Sequence, residues 1–418
     1  MPNCVTQLTC IHCQSVISEN RGCTQPWLTC PACGPADGIL DIAYDMDAVR
    51  ASWKAQPLAS RPLNHWRYRE LLPLDTLSIP DDWTVGWTPL VEATRLADQW
   101  ELEKLWLKDE GRNPTASFKD RASSVGVAHA LQNGAQTIAC ASTGNAATSL
   151  AGHAALAGLP AVIFVPATAP EPKLAQLLVY GATVIAVEGT YDQAYNLCSA
   201  ACQRYGWYNR NCAMNPVLVE GKKTGGLEIA EQTAALGEVP DWVAVSVGDG
   251  CTIAGIWKGL VQMHQLGILD KLPKLLSVQA LDVAPIHHAV RYGDLPEVCD
   301  GNTMADSIDV PVPRNWRKAV RAIEESDGIG IEVTDEEILE AMRTAGRHGV
   351  FAEPAAAAAV AGIQAAVSQG VMAPRSRVLA MITGSGLKDT RSAIRAGGRL
   401  IRTEPDMDKL DEALSSCK

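Results

Sequence analysis

The segment 108–121, Lys-Asp-Glu-Gly-Arg-Asn-Pro-Thr-Ala-Ser-Phe-Lys-Asp-Arg, begins where the apolar run Leu105-Trp106-Leu107 ends. It passes into a stretch of small residues from Ala122 to Ala130. Gly111, Asn113 and Pro114 are turn residues, and proline fixes φ and removes a backbone donor. Thr115 or Ser117 is placed to cap the helix that follows. Lys119 therefore falls at a loop-to-helix junction of an α/β unit, where ligands of such sheets sit. An amine there captures an aldehyde or moves protons once burial and nearby positive charge lower its pKa. On spacing alone, a solvated surface lysine is the commoner case.

Four cysteines form a second constellation, Cys10-Ile-His-Cys13 and Cys30-Pro-Ala-Cys33. Two C-x2-C pairs at this separation are the ligand spacing of a zinc ribbon. Four thiolates close a tetrahedral site and leave no position for water, so the chemistry expected is structural, with zinc as the ion. Cys4 and Cys23 are left over, and His12 is a possible substitute ligand.

Three further turns follow apolar runs. Gly248-Asp249-Gly250-Cys251-Thr252 comes after Trp242-Val-Ala-Val-Ser-Val247, and such a turn offers backbone N–H groups and a helix N-terminus to a phosphate. Ser142-Thr143-Gly144-Asn145 comes after Thr137 to Ala141; an ordinary N-cap turn is the alternative there. Thr383 opens Thr-Gly-Ser-Gly-Leu-Lys-Asp after Val378 to Ile382.

The elements that must position these groups alternate between strand and helix, the pattern of a parallel sheet. Strands are expected at 137–141, 161–165, 183–187, 242–247, 276–280 and 378–382, and helices at 122–130, 171–180, 191–205, 335–347 and 355–367. The domain reading is a ribbon over 1–38, an arm and the start of the large domain over 39–121, and a small α/β domain over 122–212. The large domain then resumes over 213–400, with a tail over 401–418.

The chain has 418 residues, 47% of them hydrophobic and 20% charged, enough for two or three ordinary globular domains. No run of about 18 apolar residues is present, so no membrane helix is expected. The N-terminus lacks the order of a secretory signal, and clustered cysteines without export signals predict the cytoplasm and metal, not disulfides. A net charge of -11 argues against nucleic acid as a partner.

The 108–121 segment closely resembles the cofactor-lysine motif Pro-Thr-x-Ser-Phe-Lys-Asp-Arg of the threonine synthases, in the tryptophan-synthase-β-like family of pyridoxal-phosphate (PLP) enzymes. Gly86-Trp87-Thr88-Pro89-Leu90, Ser142 to Asn145, Glu220 to Thr224 and the 248–252 turn match the same family in the same order. The resemblance implies PLP fold type II, two doubly wound parallel-sheet α/β domains, here with the N-terminal ribbon that some relatives carry. It implies PLP held covalently on Lys119, its phosphate on Gly248, Asp249, Gly250, Cys251 and Thr252, Asn145 on the ring 3′-oxygen and Thr383 on the ring nitrogen. Ser142 and Thr143 would hold the substrate carboxylate. The implied activity is that of a threonine-synthase-type lyase, O-phospho-L-homoserine and water to L-threonine and phosphate, in a homodimer. The chain departs from the family at Cys212, Ala213 and Leu218, where an Asn-Ser pair and an arginine usually grip the substrate phosphate, and at Asp249. That departure motivates an alternative, a PLP enzyme eliminating or replacing at the β-carbon of a serine- or threonine-like amino acid, as dehydratases and cysteate synthases do. A non-catalytic, amino-acid-binding relative is the alternative of another class.

Overall fold

The computed structural model describes residues 4–17, 28–75, 83–169, 171–398 and 400–415. Its largest sheet is built from runs apolar on both faces, which only a sheet covered on both sides can bury. Six strands lie in the order Ile329–Val333, Lys274–Ala280, Trp242–Ser246, Arg377–Ile382, Lys104–Asp109 and Leu90–Glu92. The first five are parallel; the short Leu90–Glu92 strand pairs antiparallel at the edge. Helices Pro354–Ser368 and Asp335–Arg347 cover one face, and Pro216–Leu236, Cys251–Gln265 and Trp316–Glu325 pack in the core on the other. The alanines of Pro354–Ser368 are buried almost without exception, so that helix approaches the strands closely.

A second sheet holds four parallel strands in the order Thr183–Val187, Ala161–Pro166, Ile138–Ala141 and Tyr208–Asn209. The strands expected at 137–141, 161–165 and 183–187 and the helix at 191–205 are present to within a residue. The cysteine-bearing segment forms a third sheet of Val5–Cys10, Val16–Ile17 and Leu40–Tyr44.

One local expectation is corrected. The helix after the lysine segment spans Lys119–Gln132, so it starts at Lys119 itself, with Phe118 as N-cap and no side-chain cap bond. Thr115 does not cap it, because its hydroxyl and N–H both go to the Asp120 carboxylate at 2.6 and 2.8 Å. The weak bond from the Lys119 N–H to Ser117 Oγ, 3.3 Å, is what remains of the capping expected there.

Candidate active site

The strand ends decide what meets at the site. Trp242–Ser246, Arg377–Ile382 and Lys104–Asp109 are adjacent and parallel, with Ile382 level with Asp109. Their C-terminal ends therefore release, side by side, the 248–252 turn, Thr383 and the loop to Lys119. Phe118 N–H donates to the Thr383 carbonyl at 2.8 Å, and Ser117 bridges to Gly384, which ties the two loops together. From the second sheet, Ile138–Ala141 releases Ser142 to Asn145. Asn145 Nδ2 donates to both carboxylate oxygens of Glu353, at 2.9 and 3.0 Å, and so ties the second sheet's loop to the first sheet's helix.

Nearly every charge in the 108–121 segment is spent on holding the segment itself. Arg121 is fully buried and bonded to Glu110 and Glu228, with Nη2 to Glu110 Oε1 at 2.8 Å and Nη1 to Glu228 Oε2 at 3.0 Å. Lys108 pairs with the same Glu228 and donates to the Thr88 carbonyl at 2.6 Å. Asn113 Nδ2 donates to Glu110 at 2.7 Å while its Oδ1 accepts from Gly86, and Asp120 also binds His153 Nε2 at 2.8 Å. Asp109 receives Arg112 at 2.9 Å. Apart from the exposed Arg112, these are buried groups that satisfy one another, the condition under which buried charges are tolerated. Ala116 holds a left-handed φ of 64°, a conformation costly for a residue with a Cβ, at the tip of this loop.

Lys119 is the exception. Among the described residues its Nζ has neither a hydrogen bond nor an ion pair. Burial and the neighbouring Lys222 charge lower its pKa, against the opposing influence of Cys212 and Glu353. An unpaired, partly desolvated amine is suited to capture a carbonyl.

The 248–252 turn has the form of an anion cradle. Gly250 caps helix Cys251–Gln265 with φ at +86°, and its carbonyl takes the first intrahelical bond, from Ala254. The N–H groups of Cys251, Thr252 and Ile253 stand before that bond, as helix-start donors do. A Cβ on Gly248 would lie 2.9 Å from the Ser307 carbonyl, so only glycine passes there. Asp249 turns its carboxylate away into a local bond, accepting the Arg314 N–H at 2.6 Å. Burial pushes its pKa up, with the nearby Cys212 adding to the effect.

The remaining candidates fall into place around these. Thr383 is half-buried, and its hydroxyl has no partner among the described residues. Thr143, Gly144 and Asn145 line a cavity with Glu353, Asp306 and Lys388, whereas Ser142 Oγ accepts the Gly144 N–H at 3.2 Å and so shapes the turn. Of the altered positions, Leu218 is fully buried and meets Gly126, and Ala213 is buried with φ at 68°. Cys212 Sγ accepts from Lys222 Nζ at 2.7 Å. Arg210 is 1% exposed, and among the described residues its guanidinium donates to Ser123 Oγ alone, at 2.8 and 3.3 Å. Lys223 is directed elsewhere, to Glu220 and over the Tyr44 ring.

Glu353 precedes Pro354, a pair that by itself marks only a helix start. It is the N-cap of Pro354–Ser368, yet its buried carboxylate serves Asn145, and burial raises its pKa. A glutamate before proline in a chain otherwise apolar around it, Phe351-Ala-Glu-Pro-Ala, was the signal available.

The cysteine cluster assembles as spaced. The sulfurs of Cys10, Cys13, Cys30 and Cys33 lie within 4.8 Å of one another, and His12 is not among them. Cys23 lies outside the described residues. No described helix is long and apolar enough to cross a membrane.

Residues 83–384 match the family profile of pyridoxal-phosphate dependent enzymes. The chain is 38% identical to the threonine synthase of Methanosarcina acetivorans, over 97% of this chain and 98% of that one. It is also 38% identical to the threonine synthase of Methanocaldococcus jannaschii, over 90% and 93%. In architecture it is similar to the processed form of threonine deaminase isoform 2 from Solanum lycopersicum, with a TM-score of 0.63 at 20% identity over 78% and 82% of the two chains. The Escherichia coli diaminopropionate ammonia lyase is similar to the same degree, with a TM-score of 0.63 at 19% identity over 76% and 87%.

Proposed function

This chain belongs to the pyridoxal-phosphate dependent enzymes, and from that premise we propose that it is a threonine-synthase-type lyase, converting O-phospho-L-homoserine and water to L-threonine and phosphate. The observation that carries the reading is Lys119, the unpaired amine in a segment whose other charges are matched. It is supported by full-length likeness to threonine synthases at 38% identity.

The residues present fit PLP. Lys119 is the amine that would hold it; the amides of the 248–252 turn would take its phosphate; the unpartnered Thr383 hydroxyl would meet the ring nitrogen. Asn145 would reach the 3′-oxygen by exchanging one of its two contacts to Glu353. When bound, PLP supplies an electron sink for bonds at the substrate α-carbon. A neutral hydroxyl at the ring nitrogen, where a carboxylate would strengthen that sink, suits elimination and replacement. The work of the chain is then positional and protolytic. Loop N–H groups at Ser142 and Thr143 hold the substrate carboxylate. Lys119 Nζ takes protons from Cα and Cβ, phosphate departs from Cγ, and water adds at Cβ, with Lys119 returning the protons.

Lys222 and Arg210 bear on the leaving group. Lys222 lies four residues after Leu218 on helix Pro216–Leu236, hence on the same face one turn later. It and Arg210 are buried without a carboxylate partner among the described residues, which suits them to replace the usual arginine in steadying an anion. The test is incubation with O-phospho-L-homoserine, reading threonine and phosphate. Equal release of both, abolished in Lys119→Ala, supports the assignment; neither product from cofactor-loaded protein refutes it.

The replacements at Cys212, Ala213 and Leu218 favour a second reading, β-elimination or β-replacement on a serine- or threonine-like amino acid. A 2-oxo acid with ammonia, or a β-substituted product, from such substrates would decide for it. The four-cysteine cluster is proposed to hold one structural zinc, since four thiols converge there at the spacing zinc requires.

A further inference from the structure

Two cysteine thiols that neither the cysteine cluster nor the proposed reaction uses meet beside the cradle, to which Cys251 lends only its backbone N–H. Cys212 leaves the second sheet's edge just after Tyr208–Asn209, and Cys251 is the first residue of helix Cys251–Gln265. Their sulfurs and a carboxylate oxygen of Asp249 all lie within 4.8 Å of one another, where a disulfide bond spans about 2.05 Å. Lys222 Nζ donates to Cys212 Sγ at 2.7 Å, and the Cys251 thiol points to Asp249 Oδ2 at 3.9 Å. Cys212 is partly exposed and Cys251 is buried. One sulfur is thus held against a cation on a partly exposed residue, and the other is buried within reach of it.

We propose that Cys212 and Cys251 form an oxidisable thiol pair at the cofactor cleft, in which Lys222 holds Cys212 as the attacking sulfur and small disulfides are the oxidants. The direction of the acid–base chemistry agrees. The hydrogen bond from Cys251 and the charges of Lys222 and Arg210 hold the Cys212 thiol well below its ordinary pKa against the effect of burial, while Cys251 is pushed up. A thiolate, not a thiol, attacks a disulfide. Cys212 S⁻ attacks RSSR, forming a mixed disulfide and releasing RS⁻. Cys251 then gives up its proton and attacks the Cys212 sulfur, releasing the second RS⁻. In sum, two protein thiols and RSSR yield one protein disulfide and two RSH.

Outside the four-cysteine cluster, Cys198 and Cys202 are also hydrogen-bonded to each other, but not at a partly exposed position. Both are buried, and their mutual hydrogen bond together with burial raises the Cys198 thiol.

The proposal stands apart from the reaction assigned above, and its test reads mass, not turnover. The full-length protein is incubated with oxidised glutathione, blocked with iodoacetamide and digested with trypsin without reduction. Cleavage after Arg210, Lys222, Lys223 and Lys258 places Cys212 in fragment 211–222 and Cys251 in fragment 224–258. The expected product is these two fragments joined, lighter by two hydrogens than their sum. In Cys251→Ala, fragment 211–222 should instead carry glutathione. In Lys222→Met, the corresponding fragment 211–223 should become modified about tenfold more slowly. Recovery of 211–222 as alkylated free thiol while the partly exposed Cys299 is already oxidised would overturn the proposal. So would a Lys222→Met protein that reacts at the parent rate.

Discussion

At Lys119 Nζ the balance is between desolvation and charge. Burial and the Lys222 ammonium both favour the free amine, so a useful fraction is unprotonated below the ordinary lysine range. Because only the free amine captures an aldehyde, the rate at which stripped protein takes up PLP should rise with pH and level off below the pKa of an exposed lysine. Removing the like charge with Lys222→Met should move that midpoint upward; stopped-flow uptake across pH checks it, and an unmoved or lowered midpoint would count against the electrostatic account. Glu353 gives a second residue-level prediction. Glu353→Ala frees the Asn145 amide from both carboxylate oxygens and removes a buried carboxylate near Lys119. Cofactor affinity, measured by equilibrium titration, should fall about 5- to 30-fold, by roughly 1–2 kcal/mol for a lost oriented hydrogen bond. Lys119 was legible because its motif is a long, specific string. Lys222 and Glu353 were not, because spacing fixes which residues share a helix face but not which face looks into the cleft.

Among the elements, helices Pro216–Leu236 and Cys251–Gln265 set the position of both the cradle and Lys222. They touch backbone to backbone: a Cβ on Gly226 would collide with the Ile256 carbonyl, and one on Gly259 with the Lys223 carbonyl. Gly226→Ala should therefore lower stability by about 1–3 kcal/mol through overpacking, in spite of alanine's better helix propensity. Chemical denaturation checks this, and a neutral or stabilised variant would refute the packing argument. Neither helix carries an apolar stripe that reveals its partner, since both are buried nearly all round. Three of the second sheet's four strands, and the helices at 171–180 and 191–205, were by contrast readable almost to the residue, because apolar runs alternate there with glycine and proline turns; the two-residue strand Tyr208–Asn209 was not. Strand Ile329–Val333 escaped sequence reading; its glycine and glutamate break the apolar run that marked the others.

In the whole molecule the cysteine-bearing sheet leans on the cradle side of the large domain. Asp41 meets Lys258 at 2.8 Å and Arg321 at 3.0 Å, and the Tyr44 hydroxyl donates to Glu220 at 2.9 Å. Ile11 and Ile39 pack in one cluster with Cys212, Ala213, Val219 and Cys251. Metal in the four-cysteine site should accordingly hold a wall of the cofactor cleft. Chelation should release about one zinc per chain and speed iodoacetamide labelling of Cys212, while the helical signal of the main body persists. Unchanged labelling after complete zinc release would detach the ribbon from the site. The two sheets and the cradle converge on one amine, and the most direct test is chemical. The protein is loaded with PLP, reduced with borohydride and mapped by mass spectrometry. A phosphopyridoxyl group on Lys119 and on no other lysine is the predicted result; its attachment elsewhere, or its absence from a protein that binds PLP, would contradict the account.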